Sequence, residues 1–186
     1  MSKRELPDIL TLDEEAALLK QFNSRYPTSF RNRTMLELAL NTGMRVGDII
    51  NLRWEDIELD SGRCHIKKGK NKKDRVIFIR VEILSAMIDM AAKMNRDRTG
   101  RVFTTLDGNP VQARYLRRMI GEKAAKAGIK KRVHFHLLRH TYLTRLYTRT
   151  RDIRVVQEVA GHADISTTMI YTHISGEDVR KAMLEL

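Results

Sequence analysis

Gly62-Arg63-Cys64-His65-Ile66-Lys67-Lys68-Gly69-Lys70-Asn71-Lys72-Lys73-Asp74-Arg75-Val76-Ile77-Phe78-Ile79 is where the chain changes its period. Over 62–67 apolar and polar residues alternate, as in a strand with one face buried. Residues 74–79 are largely β-branched and apolar, and a six-residue run of lysine, glycine and asparagine separates the two. The stretch reads as a β-hairpin with a basic tip. On both sides of it the spacing is helical. The fold class expected is therefore mainly α with a small antiparallel β-sheet, an α+β arrangement.

Toward the N-terminus, Thr11-Leu12-Asp13-Glu14 has the form of a capping box. It opens a helix expected to run to about 23, with Leu12, Ala16, Leu19 and Phe22 inward. A second helix, about 29–41, turns Phe30, Leu36, Ala39 and Leu40 inward, and Gly43 is placed as its C-terminal cap. A short helix over 46–52 follows. Beyond the hairpin comes a helix over 81–95. Another is expected to open at Asn109-Pro110, with Asn109 as cap, and to end at Gly128. Further helices are expected over 137–150 and from Asp152 to a stop at Gly161. Asp164 or Ser166 starts a short helix carrying Tyr171, and a last helix begins within 175–178 and reaches Leu186. No internal repeat or low-complexity segment interrupts this order.

Composition narrows the partners. With 35 Lys and Arg against 23 Asp and Glu the net charge is +12, and a basic surface of this size attracts polyanions, nucleic acid first. The charge is not gathered on one amphipathic helix, which disfavours a membrane-surface protein. Cys64 is the only cysteine, so there is no disulfide framework and no cysteine-based zinc site. A reducing, cytoplasmic setting is the default that follows. No apolar run approaches a membrane span, and the first residues lack the apolar stretch of a signal peptide.

Several separated motifs carry chemistry. His136-Leu137-Leu138-Arg139-His140 puts His136 and Arg139 on one helix face, where an arginine could grip a phosphate oxygen while the histidine works beside it. His136 and His140 also have metal-ligand spacing. Zinc hydrolases of that kind need Glu after the first His, however, and Leu137 stands there. Arg45 sits at the start of a short helix, where the dipole disfavours a cation and a phosphate would suit it. Asp48, one turn on, could orient it, and a solvated ion pair is the equal rival. Lys67, Lys68, Lys70, Lys72 and Lys73 crowd the hairpin tip, either as a solvated run or as phosphate contacts with one general acid among them. Gly161-His162-Ala163-Asp164-Ile165-Ser166-Thr167-Thr168-Met169-Ile170-Tyr171-Thr172-His173 offers a tyrosine that can act as a covalent nucleophile. With the segment before it, it also has the look of a helix-turn-helix, in which Tyr171 would do no chemistry.

The order of these motifs resembles the tyrosine recombinase, or phage integrase, family: Arg45 after a Thr-Gly turn, a hairpin lysine, His136 to His140, Ala160-Gly161-His162, and Tyr171 nine residues past His162. Ala160 stands where the family usually has Leu, and Asp48 where it often has Glu. The resemblance implies a tyrosine recombinase catalytic domain that cuts and rejoins double-stranded DNA through a 3′-phosphotyrosyl link, with no metal and no other cofactor. It implies Tyr171 as nucleophile, with Arg45 and Arg139 on the non-bridging oxygens and Lys70 as general acid. Lys68 and Lys72 stand as alternates to Lys70. His136 would take the phenol proton and His162 would donate to the phosphate, while Asp48 and His140 support. It further implies a homo-oligomer on DNA, a tetramer, with a monomer in solution left open, and with 175–186 either docking on a neighbouring protomer or folding back on its own domain. On this reading 1–186 is a single catalytic domain and the family's N-terminal DNA-clamping domain is absent.

DNA contacts are expected from Lys67, Lys68, Lys72, Lys73 and Arg75 at the hairpin and from Arg114, Arg117 and Arg118, which share one helix face. Lys130, Lys131 and Arg132 are expected to add to them. In the resemblance the arginine-bearing helix enters the major groove, so its arginines would read base edges while the hairpin lysines hold phosphates. Two other classes remain: a non-catalytic helix-turn-helix regulator, and a topoisomerase-like relaxing enzyme that uses the same site without strand exchange.

Overall fold

Thr11 opens the first helix as its sequence dictates. In the computed structural model, which describes residues 8–67, 74–161, 168 and 169, the Thr11 hydroxyl accepts from the Glu14 N–H and the Glu14 carboxylate accepts from the Thr11 N–H. Helix α1 spans Leu12–Leu19 and is shorter than expected. Gln21 and Phe22 donate to the carbonyls three residues back, which tightens the chain out of the α-helix. Phe22 is buried and Leu19 partly so, but the rest of the expected inward face is corrected: Leu12 is 74% exposed, Ala16 is exposed, and Leu18 takes the buried position.

Helix α2 (Pro27–Thr42) is the central element. Met35, Leu36, Leu38, Ala39 and Leu40 are buried along it, and it packs against α6 (Phe135–Thr150) and α4 (Val81–Lys93). A helix enclosed on several sides loses its one-sided apolar stripe. It ends at Gly43, whose φ of 64° is left-handed. A Cβ there would also lie 2.7 Å from Cδ1 of Tyr142 on α6. Glycine is required twice over, for the backbone and for the approach of this turn to α6. Helix α3 (Val46–Asn51) follows at once.

The hairpin forms as expected. Strand β1 (Arg63–Ile66) pairs antiparallel with β2 (Arg75–Phe78), with Cys64 opposite Ile77 and Ile66 opposite Arg75. The inward face therefore holds Cys64, Ile66, Arg75 and Ile77. The tip, 68–73, lies outside the described residues.

Helix α5 (Ala113–Lys126) corrects the expected start. Asn109 and Pro110 belong to a tight turn. Thr105 and Asn109 bond across it, Gly108 takes φ 82°, and Pro110 bridges Thr104. Pro110 supplies no N–H, so it serves the turn without loss, and the helix begins three residues later. Helix α7 (Ile153–Ala160) opens on the Asp152 carboxylate, which accepts from the Arg154 N–H, and it stops at left-handed Gly161. Leu143, Val156 and Ala160 form a small apolar cluster that pins α7 to α6. Burying Leu143 contributes on the order of 2 kcal/mol. That contact sets where the turn at 160–161 lies, which matters for the site.

Candidate functional site at the start of α6

Helix α6 starts on a histidine. The Nδ1 atom of His134 accepts from the Leu137 N–H at 3.0 Å, so an imidazole fills the capping role usually held by a hydroxyl or carboxamide. Phe135 and Leu138 bury into the core and set the helix phase. Arg139 is thereby driven inward until it is only 1% exposed. Its guanidinium donates from Nη1 to the Gly43 carbonyl and from Nη2 to the Ala160 carbonyl, both at 2.7 Å. It ties the end of α2 to the end of α7.

Arg45 arrives from another direction. It is the N-cap residue of α3, and its own N–H is accepted by the Asp48 carboxylate at 3.3 Å. Its Nη2 donates to the Gly161 carbonyl over a long 3.5 Å. Two guanidinium groups far apart in sequence thus reach consecutive carbonyls of one turn. That turn leads directly into His162. His162 and Tyr171 lie outside the described residues, as do Lys68, Lys70, Lys72 and Lys73.

His136 stands on the exposed side of the first turn of α6. Partial desolvation by the surrounding protein, then the charges of Arg139, His134 and Arg45, hold its pKa below the ordinary 6.5. Although solvent reaches the ring, the nearby cations disfavour a further positive charge. His136 is accordingly neutral at pH 7 and able to accept a proton. His140 meets it edge-on with centroids 4.3 Å apart, and His134 lies near-parallel at 6.4 Å.

Asp48 has a second partner. Its carboxylate receives Nη2 of Arg75 at 2.6 Å. The Arg75 side chain is 2% exposed, so the expected DNA contact is corrected: this cation points into the domain and links β2 to α3. The signal was present in the sequence. Strand alternation puts residue 75 on the face of Ile77, two positions on. Lys131 is half-buried, donating to Glu14 at 2.8 Å and to the Ile9 carbonyl at 2.6 Å. His134 was missed altogether. A histidine immediately before an apolar helical run could have been read as a cap.

The remaining expected contacts lie outward. Arg114, Arg117 and Arg118 are exposed on α5, with Arg118 near Glu122 at 3.6 Å. Lys130 and Arg132 are exposed. Lys67 is exposed and held by Asp56 at 2.5 Å. Among the described residues, no three His, Cys, Asp or Glu side chains stand together as a metal site would need. Cys64 is buried, and desolvation pushes its thiol up to about 12, so it is unsuited to nucleophilic work. No helix among the described residues is long and apolar enough to cross a membrane.

The family model described as the phage integrase family matches residues 8–177. The chain belongs to the phage integrase family. Tyrosine recombinase XerD of Staphylococcus saprophyticus is 38% identical over 183 residues, covering 96% of this chain and 62% of the relative. The chain thus spans 62% of the length of that curated relative. Of solved structures, the XerA recombinase superposes with a TM-score of 0.80 at 29% identity, over 97% of this chain and 65% of that one. The XerH site-specific recombinase bound to its difH substrate in a pre-cleavage complex gives 0.80 at 25% identity, over 98% of this chain and 55% of that one. For a member of the phage integrase family the helical body with one antiparallel hairpin is the catalytic-domain fold of tyrosine recombinases. Nearly the whole chain takes part in the match.

Proposed function

We propose that this chain is the catalytic part of a site-specific DNA recombinase that cleaves and rejoins double-stranded DNA through a covalent 3′-phosphotyrosyl intermediate. The observation that carries the reading is the convergence of Arg45 and Arg139 on the turn at Ala160 and Gly161, with neutral His136 beside them. Two fixed guanidinium groups supply the charge that phosphoryl transfer needs in its transition state. Sequence order then gives Tyr171 as the nucleophile.

In this mechanism the Tyr171 phenol oxygen attacks the scissile phosphorus and the bond to the 5′ oxygen breaks. His136 takes the phenol proton, Lys70 protonates the departing 5′ oxygen to give the 5′-hydroxyl, and His162 donates a hydrogen bond to a non-bridging oxygen. A free phenol has a pKa of about 10, so the cationic surround is what lets it attack near neutrality. Rejoining is the reverse, with the 5′-hydroxyl of a partner strand displacing the tyrosine. The bond energy stays in the linkage, and neither metal nor nucleotide cofactor is called for.

The DNA-bound state of the related XerH recombinase supports duplex DNA as partner. Arg114, Arg117, Arg118, Lys130 and Arg132 form the outward cationic face in this reading, with Lys67, Lys68, Lys72 and Lys73 on the hairpin. We further propose assembly as a tetramer on DNA, with 175–186 docking on a neighbouring protomer, and work in the cytoplasm of a bacterium. The bacterial origin of the XerD relative supports that setting.

The test is incubation with nicked suicide duplexes carrying sites selected from random DNA, followed by denaturing gels. A covalent adduct is expected with the native chain, in excess EDTA as well as without it. Tyr171→Phe is expected to keep DNA binding and lose the adduct. An adduct that survives in Tyr171→Phe refutes the nucleophile. Loss in EDTA with recovery on adding magnesium favours a metal nuclease. Relaxation of supercoils without strand exchange favours the topoisomerase-like reading.

A further inference from the structure

Helix α5 carries a residue that its own fold does not need. Gly121 lies in the interior of this helix, where glycine is the weakest helix former after proline. The structural reasons for a helical glycine are missing. Its φ is not among the positive values. It is exposed, and among the described residues a Cβ built on it would meet nothing within 4 Å. Alanine there would gain helix stability at no steric cost to any described residue, so none of the described residues calls for glycine.

Its surroundings indicate what does. Gly121 is three and four residues beyond Arg118 and Arg117, on one helix face. It lines an open groove of about 670 Å³ between α5 and the start of α6, together with Arg117, Lys131, Arg132, Val46 and His136. The exposed part of the rim is cationic, and the chain carries +12. A duplex polyanion is the occupant whose charge fits.

We propose that Gly121 is a positioning residue for duplex DNA: it marks the closest approach of α5 to the DNA, where a missing Cβ lets the helix seat deeply enough to bring the scissile strand to His136. The proposal rests on the DNA-recombinase reading above. Contact at Gly121 is steric and alters no charge, which separates it from the arginines around it.

The experiment compares the native chain with Gly121→Ala and Gly121→Leu, using duplexes selected from random DNA by the native chain. Gly121→Ala is expected to raise Tm by ~2–4 °C through helix propensity. It is expected to weaken duplex binding ~tenfold, and Gly121→Leu ~100-fold, through overpacking at the contact. Because no charge changes, the slope of log affinity against log salt should stay the same for all three. A purely structural glycine would move Tm and leave affinity alone. Binding by Gly121→Ala within about twofold of the native chain overturns the proposal while leaving the recombinase reading intact. A native chain that retains no duplex from the pool overturns both. Should Gly121→Leu fail to fold, Gly121→Ala carries the test.

Discussion

Asp48→Asn should be far more damaging than its position near the surface suggests. The carboxylate faces Arg75, whose side chain is 2% exposed, at 2.6 Å. Among the described residues, Nε and Nη1 of Arg75 are buried with no hydrogen-bond partner, so Asp48 is its ion-pair partner there. Removing one member of a buried pair costs about 3–5 kcal/mol, because the other charge is left uncompensated. Asparagine keeps an oxygen for the Arg45 N–H and for Arg75, which puts the expectation at the low end, ~3 kcal/mol. Against a typical domain stability of ~5–15 kcal/mol that is a large share. It corresponds to a fall in Tm of about 6–12 °C for a chain of this size. Urea unfolding at pH 7 followed by circular dichroism measures it, read as a shift in midpoint at constant m. Arg75→Met supplies the control, since with the cation gone Asp48→Asn should cost under ~1 kcal/mol. A cost below ~1 kcal/mol in the native background, or one unchanged by Arg75→Met, would refute the view that Asp48 exists to hold a buried arginine.

Other outcomes follow from the same geometry. His136 should titrate below 6.5 in ring-proton NMR. Because its folded-state pKa is depressed, the unfolded chain binds this proton more tightly. Its contribution to stability is whole above about pH 6.5 and is lost as pH falls through the lowered folded value. His136→Gln should remove that part of the acid-side slope, and a midpoint above 6.5 contradicts the cationic surround. Cys64 should resist maleimide at pH 8 in the folded chain and react fully in urea, since its thiol is buried and pushed up to about 12; fast labelling of the folded state contradicts the core placement. His134→Ala should cost ~1 kcal/mol through loss of the cap on α6, and His134→Ser should recover most of it. Equal unfolding midpoints for the two variants would show that the imidazole is not capping.

Sequence by itself determined what depends on neighbours along the chain. The capping box at Thr11, the left-handed stop at Gly43, the Asp152 cap and the alternation through 63–66 and 75–78 are local, because each is set by residues within a turn or a strand pair. They carried the mainly helical class and the hairpin. The spacing of His136, Arg139 and His140 on one helix was legible for the same reason, since three and four residues make one turn. Tertiary structure decided where the charges go. Arg75 looks like a surface cation in the sequence, and it turns inward because Asp48, distant in the chain, waits for it, while Lys131 stays partly exposed and pairs with the distant Glu14. The start of α5 moved past Pro110 because Thr104 and Thr105 folded back onto that segment. Arg139 became a buried clamp only when α2 and α7 brought the carbonyls of Gly43 and Ala160 to its two ends. A side chain's reach is a few ångströms while its partners lie tens of residues away, and only packing of the core brings them together.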